Sequence, residues 1–300
     1  MNTNKAEQYW QDFHKGLDDL GIQKGDILYV GSDIAAMVVE ASRELEFASK
    51  QDQTDYLNRL VDEIKNHVTE EGTLLFPVYS WGFCRGGAFD YHKTQGEVGS
   101  FNNFILNNRS DFVRTKHAIY SFMVWGKDAK MLYEMNNQEA WGKASPFYYL
   151  HHNGGKELDL NVSGLRSMTF KHYVEMSVKV PYRYPKYFIG NYTDENGVTE
   201  ERCYSMYVRA LDVSCKSSQN NAFFEETKVG QTVPFHNIEL HVIDLPKAYE
   251  VLKDDLLNNG GANVYHFENY TLCFDNPKEV YEVGFWRDKE ILHLEKAVKG

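Results

Sequence analysis

Apolar side chains fall three and four positions apart at Tyr9, Phe13, Leu17 and Leu20, which predicts an amphipathic opening helix that Gly21 and the Lys24-Gly25-Asp26 turn bring to an end. Ile27-Leu28-Tyr29-Val30 follows as a short run with no polar break, the signature of a strand buried on both faces. Leu57, Leu60, Val61, Ile64 and Val68 form the cleanest helical stripe in the chain, and Gly72 stops it. Thr73 to Val78 then reads as a second buried strand, so strand, helix and strand compose a βαβ unit. From Ser80 to Gly99 periodicity is lost in a stretch rich in glycine and aromatics, and a loop of that length in a compact domain is usually functional.

The pattern resumes with a strand over Ala118 to Val124 and a helix that Ser145 caps and Pro146 starts. Leu158 to Val162 predicts a strand and Thr169 to Lys179 a helix. Beyond Pro181 the character changes. Lys186–Thr193 and Val198–Ala210 alternate around Asp194-Glu195-Asn196-Gly197, a hairpin with an Asn-Gly turn. Ile238 to Leu245 predicts another strand, Pro246 to Leu257 a helix, and Val264 to Phe274 a strand-like tail. The first ~180 residues alternate α and β and the remainder is more antiparallel, by the pattern rules.

A formal net charge of −11 over 300 residues argues against nucleic acid as partner, since phosphate binding needs clustered Lys and Arg. The same field favours a cationic small molecule, although solubility alone accounts for it as well. Hydrophobic and charged shares of 42% and 25% are those of a globular protein. Tyrosine and phenylalanine are abundant, at 20 and 18, which suits a roomy half-polar cleft without naming its ligand. Cys84, Cys203, Cys215 and Cys273 are scattered and form no C-x-x-C pair, so free thiols in a reducing compartment are expected. No stretch has the apolar length of a signal peptide or a membrane span, and the chain reads as cytoplasmic, with no membrane partner.

Three constellations carry candidate chemistry. Thr169, His172 and Glu175 are spaced to share one helix face, and an imidazole beside a carboxylate is a natural general base. H-x-x-E is common on exposed helices, so spacing alone does not decide between a base and a surface pair. No third and fourth ligand stand nearby at metal-site spacing, so no metal is expected. Arg114-Thr115-Lys116-His117-Ala118-Ile119-Tyr120-Ser121-Phe122 is a basic, histidine-bearing turn that reads either as an anion contact or as a solvated lead into a core strand. Val30-Gly31-Ser32-Asp33-Ile34 ends the first strand, where ligands of open α/β sheets sit. G-x-G-x-x-G, the P-loop pattern and G-x-S-x-G are absent, which weakens dehydrogenase, kinase and α/β-hydrolase readings.

The order of these segments resembles the antibiotic (aminoglycoside) 3-N-acetyltransferase family over nearly the whole chain. Ile27 to Asp33 stands for the family's strand and serine turn, and Gly72-Thr73-Leu74-Leu75-Phe76-Pro77 for its G-T-L strand. Phe89-Asp90 and Val98-Gly99 match its loop signatures, Arg114 to Phe122 with Gly126 its R-S-x-H-P segment, Ser145-Pro146 its helix start, and Thr169 to Glu175 its T-x-x-H-x-x-E helix. The later Lys228-Val229-Gly230, Ile238 to Leu245 and the Pro246 helix resemble its closing segment. Two departures stand out: Gly31-Ser32-Asp33 replaces His-Ser-Ser, and Ala118 replaces the proline after the histidine.

Pattern and resemblance together predict an α/β protein, an αβα sandwich with a central, mostly parallel or mixed sheet and a smaller antiparallel, β-rich C-terminal part. One acetyltransferase domain is expected over 1–300, with an α/β core and CoA site in 1–180, an inserted hairpin and acceptor region in 181–235, and closing strands and helix in 236–300. The resemblance implies acetyl-CoA (coenzyme A) as co-substrate, no metal, and direct transfer to an amino group of an aminoglycoside or amino sugar, as in antibiotic resistance. It casts His172 as base and Glu175 as its support, Ser32, His117, Ser121 and Thr169 at the cofactor, and Asp33, Asp90 and Glu97 at a cationic substrate. Competing expectations are a nucleotide-linked amino-sugar acyltransferase of surface polysaccharide synthesis, toward which Arg183, Lys186 and Arg202 lean, and a non-catalytic member of the fold, for which the changed Gly31-Ser32-Asp33 turn is the best support. Monomer and homodimer both remain open.

Overall fold

The computed structural model describes residues 3–162, 164–218 and 222–275, together with the short strands Glu282–Val283 and Leu292–His293. Its first half runs α1 (Thr3–Asp19), β1 (Ile27–Ser32), α2 (Ile34–Leu45), α3 (Lys50–Val68), β2 (Thr73–Pro77), β3 (Phe89–Asp90), α4 (Ser100–Asn108), β4 (Val113–Arg114), β5 (Phe122–Gly126) and α5 (Ala129–Glu134). The second half continues α6 (Pro146–His152), β6 (Lys156–Leu160), α7 (Gly164–Ser167), α8 (Phe170–Val178), β7 (Arg183–Thr193), β8 (Thr199–Arg209), β9 (Cys215–Ser217), α9 (Ala222–Glu226), β10 (Gly230–Phe235), β11 (Ile238–Asp244), α10 (Leu245–Asn258) and β12 (Tyr265–Phe267).

Seven strands form the central sheet in the order β10-β11-β6-β1-β2-β5-β4. The middle three are parallel, and the strands on either side of them are antiparallel, so the sheet is mixed. The βαβ unit predicted from the apolar runs is present, with Leu28 opposite Leu74. Side chains of β1, β2 and β6 alternate between two cores. Leu28, Val30, Leu74, Phe76, Leu158 and Leu160 pack with α1, α2 and α3, while Tyr29 and Leu75 face the other way, toward α6, α8 and α10. Helices on both faces of a mixed sheet make the α/β sandwich that the alternation predicted.

Ser49 and Asp52 form a capping box at the start of α3, and Ser145 accepts from the Tyr148 amide ahead of Pro146, as expected. One element is shifted. The strand expected over Ala118–Val124 begins only at Phe122, because the preceding residues form a buried turn organised by His117. The Asn-Gly hairpin of β7 and β8 runs in register from Arg183 opposite Arg209 to Thr193 opposite Thr199. It carries β3 along one edge, and β9 pairs with β12 in a separate ribbon. Of the tail expected as strand over Val264–Phe274, only Tyr265–Phe267 is extended and paired. Most of the chain after Asp275 lies outside the described residues.

Gly126 closes β5 at φ 103°, where a Cβ would overlap the Gly72 carbonyl oxygen across the sheet. Both the backbone strain and that overlap penalise any side chain. Gly126→Ala is expected to destabilise the fold by about 2 kcal/mol or more, read as a lowered urea midpoint with unchanged slope.

Candidate active site

The site is built around one buried charge. Glu175, on α8, is fully buried, and three groups converge on its carboxylate. His172 Nδ1 lies 2.5 Å from Oε2, Tyr182 Oη donates to Oε1 at 2.5 Å, and Arg183 Nε pairs with Oε2 at 2.9 Å. Burial alone would raise this carboxyl, but Arg183 and His172 beside it overcome that and hold it well below the usual carboxylate range. An ionised carboxylate only accepts hydrogen bonds, so the proton of the neutral imidazole sits on Nδ1 and Nε2 is left with its lone pair. Burial first, and then the Arg183 guanidinium, pull His172 down to about 4, against the opposing effect of Glu175. The ring is therefore neutral at pH 7, which is the state a general base requires.

His172 is 24% exposed, and its ring lines two cavities that share Ser167, Thr169 and the imidazole itself. The larger, about 330 Å³, is walled by Tyr29, Tyr79, Trp81, Tyr120, Asn102 and Glu157, with Ser32 and Gly99 at its less buried end. The smaller, about 230 Å³, is bordered by Lys171, Arg183 and Arg209 and by Cys215 and Ser217 of β9. Lys171 Nζ donates to Leu165 O and Ser217 Oγ, both at 2.7 Å, and burial pulls its pKa down to about 8. A hollow of about 530 Å³ at Asn107 and Arg109 lies elsewhere; there Arg109 already pairs with Asp62 and Asp111, and Asn107 with Gln95.

The structure thus brings together His172, Glu175, Thr169 and Ser32 of the residues singled out from sequence. The Ser32 hydroxyl is buried with no hydrogen-bond partner among the described residues. The other five do not line either cavity at His172. His117 is 1% exposed, its Nδ1 accepts from the Ile119 and Tyr120 amides, and burial takes it down to about 3, so it acts as a neutral turn-former. Ser121 is spent between Arg114 Nε and Val78 O. Asp33 caps α2 through the Ala36 amide, Asp90 accepts from the His92 and Lys93 amides, and Glu97 is held by Arg85 and the Trp81 amide.

Sequence reasoning passed over Tyr182, and it set Arg183, with Lys186 and Arg202, toward a nucleotide-linked substrate and not toward Glu175; both residues lie at the start of the hairpin, with no local pattern to tie them to α8. It also passed over Glu157 and Asp159. These alternate with Leu158 and Leu160 on β6, so both face the α8 side, opposite Tyr29 and Gly31. Glu157 has no hydrogen-bond partner among the described residues, and the Asp159 carboxyl has the Ser167 hydroxyl beside it. Burial raises both, Asp159 to about 8, and each charge would oppose the other. Acids buried in alternation with leucines are a signal the sequence did contain.

A carboxyl whose folded pKa lies above its unfolded value binds its proton more tightly in the folded state, so stability is greatest at low pH and falls as pH rises toward the folded value. Thermal unfolding of the protein should therefore lose stability between about pH 4 and about pH 8 through Asp159, and Asp159→Asn should flatten that slope and melt higher than the parent at about pH 8. Circular dichroism melts across that range check both signs.

The sequence pattern of the aminoglycoside 3-N-acetyltransferase family matches residues 48–256. Among curated proteins no sequence matches this chain. Among solved structures, AAC-VIa bound to sisomicin superposes with a TM-score of 0.68 at 18% identity, covering 83% of this chain and 97% of that one. AAC-IIIb in a binary complex with CoASH gives 0.65 at 16% identity over 82% and 96%, and the YokD protein from Bacillus subtilis 0.61 at 18% over 83% and 93%. At such identities these likenesses establish the fold, and the family match spans more than half of the sequence. The chain belongs to the aminoglycoside 3-N-acetyltransferase family, a family of acyltransferases.

Proposed function

We propose that the protein transfers an acetyl group from acetyl-CoA to an amine of an aminoglycoside or amino sugar, with His172 as general base. The observation that carries this reading is the His172–Glu175 pair standing where two cavities meet. The acceptor enters as an ammonium and must lose a proton before its nitrogen attacks the thioester. That first proton passes to solvent; Nε2 of His172 takes the second as the new C–N bond forms, and Glu175, already anionic, stabilises the resulting imidazolium. Tyr182 and Arg183 keep Glu175 ionised and fixed, so the ring does not swing. Collapse of the tetrahedral intermediate breaks the C–S bond, and the CoA thiolate leaves with the proton that the His172 imidazolium gives up. The developing oxyanion needs a fixed donor, and the unpartnered Ser32 hydroxyl and Thr169, on the cavity wall with the ring, are the side chains offered for it.

A second reading of the acceptor rests on the smaller cavity. Lys171, Arg183 and Arg209 on its walls favour an amino sugar that carries an anionic group, such as a nucleotide-linked one. Screening aminoglycosides and nucleotide-linked amino sugars side by side with acetyl-CoA separates the two.

His172→Ala is expected to lower turnover by about 100- to 10,000-fold in a thiol-release assay while CoA binding persists. An unchanged rate removes the mechanism. Because the base is active when neutral, kcat/KM should rise through about pH 4 and show no further His172 limb near neutrality. Arg183→Met removes a cation that depresses the ring, so that limb should move to higher pH.

A further inference from the structure

We propose that the larger cavity holds a protonated amine of the acceptor, clasped by Glu157 and Asn102 and enclosed by Tyr29, Tyr79, Trp81 and Tyr120. The inference rests on the acyl-transfer reading and names the chemistry that the acceptor presents to it.

The cavity's unsatisfied groups select the ligand. Glu157 is 1% exposed and neither of its oxygens has a hydrogen-bond partner among the described residues. Asn102 is 4% exposed, and its Oδ1 is likewise unpartnered while its Nδ2 donates to Val98 O at 3.3 Å. Both residues line the cavity. The buried Asn102 carbonyl is an acceptor, and the Glu157 carboxyl becomes one on both oxygens once its proton leaves, so the ligand that matches both is rich in N–H donors and carries the charge that lets the proton go. Four aromatic rings on the same walls add faces that attract a cation and exclude water. Donor-rich, cationic and compact describes an ammonium group.

Asp159 completes the subsite from behind. It lies on the same face of β6 as Glu157, and its Oδ1 occupies the space a Cβ on Gly31 would need. A side chain at position 31 would therefore displace the Asp159 carboxylate from this place. Around the two carboxyls stand Tyr29 of β1, Tyr79 following β2, Ser167 and Lys171. Lys171 is turned to Leu165 O and Ser217 Oγ, so its ammonium is not hydrogen-bonded to either acid. Burial and mutual repulsion favour the protonated form of the pair as long as no cation stands beside it. An arriving ammonium makes the charged form favourable, and a carboxyl proton leaves to solvent as the cation settles. The thioester arm then occupies the less buried end at Ser32 and Gly99, with His172 on the wall between.

Calorimetric titration of the full chain, saturated with CoA, with sisomicin and with glucosamine at neutral pH tests this in phosphate and in HEPES buffer. Binding of at least one amine is expected, with a heat that differs between buffers by the release of about one proton. Glu157→Gln should weaken that amine at least tenfold and abolish the buffer dependence, while its CoA affinity stays at the parent's value and reports an intact fold. Asp159→Asn should reduce proton release with smaller loss of affinity. Millimolar amine giving no heat, buffer-independent heat in the parent, or parent-like binding by Glu157→Gln overturns the subsite. Failure of CoA itself to bind overturns the acetyl-transfer reading instead, and a Glu157-dependent amine site would survive it.

Discussion

The buried carboxylate of Glu175 is the interaction on which the remainder of the site depends. A lone ionised carboxyl in such surroundings would neutralise itself by taking up a proton. Here an imidazole and a phenol hydrogen-bond to it and a guanidinium stands 2.9 Å away as its counter-charge, so the charge persists. Two of the three partners, Tyr182 and Arg183, come from the start of the hairpin rather than from α8. The ion pair therefore ties the antiparallel lobe to the α/β core as well as setting the tautomer of His172. Arg183 is itself buried and hydrogen-bonded to Tyr207 O, so breaking either partner leaves a charge stranded.

The polar face of β6 follows a different logic. Leu158 and Leu160 anchor the sheet on the side of α1 to α3, where packing tolerates no polarity. Their neighbours Glu157 and Asp159 face the opposite side of the sheet, where Glu157 lines the larger cavity. A strand with apolar residues on one side and buried acids on the other costs stability. Local rules of this kind fail most often at functional sites.

In the segment from Arg114 to Phe122, Tyr120 lines the larger cavity while Arg114, Thr115, His117 and Ser121 are taken up by the fold. Arg114 is buried, with its guanidinium over the Phe89 ring and bonded to Ser121, Tyr91 O and Thr94 O. His117 gathers two turn amides, and Thr115 accepts from the Phe122 amide. Together these side chains satisfy the backbone of an irregular entry into β5 and secure the long loop from Ser80 to Gly99 against the sheet. That loop in turn supplies Trp81, Val98 and Gly99 to the larger cavity.

Much of the architecture was legible in the sequence because it is written in local periodicity. The stripe on α3, the apolar runs of β1 and β2, the capped start of α6 and the Asn-Gly hairpin each report their own conformation through neighbouring residues. The His172–Glu175 pair was legible for the same reason, since three positions on a helix place two side chains on one face. Tertiary structure alone decided that Tyr182 and Arg183 close on Glu175, that His117 and Ser121 are consumed by a turn, and that Asp33, Asp90 and Glu97 stay at their own loops. It alone placed Glu157 opposite Tyr29 and Asp159 over Gly31. Spacing along a chain fixes directions within one element, whereas burial, charge and the meeting of cavities depend on which elements are brought together, and that is set by packing across the sheet.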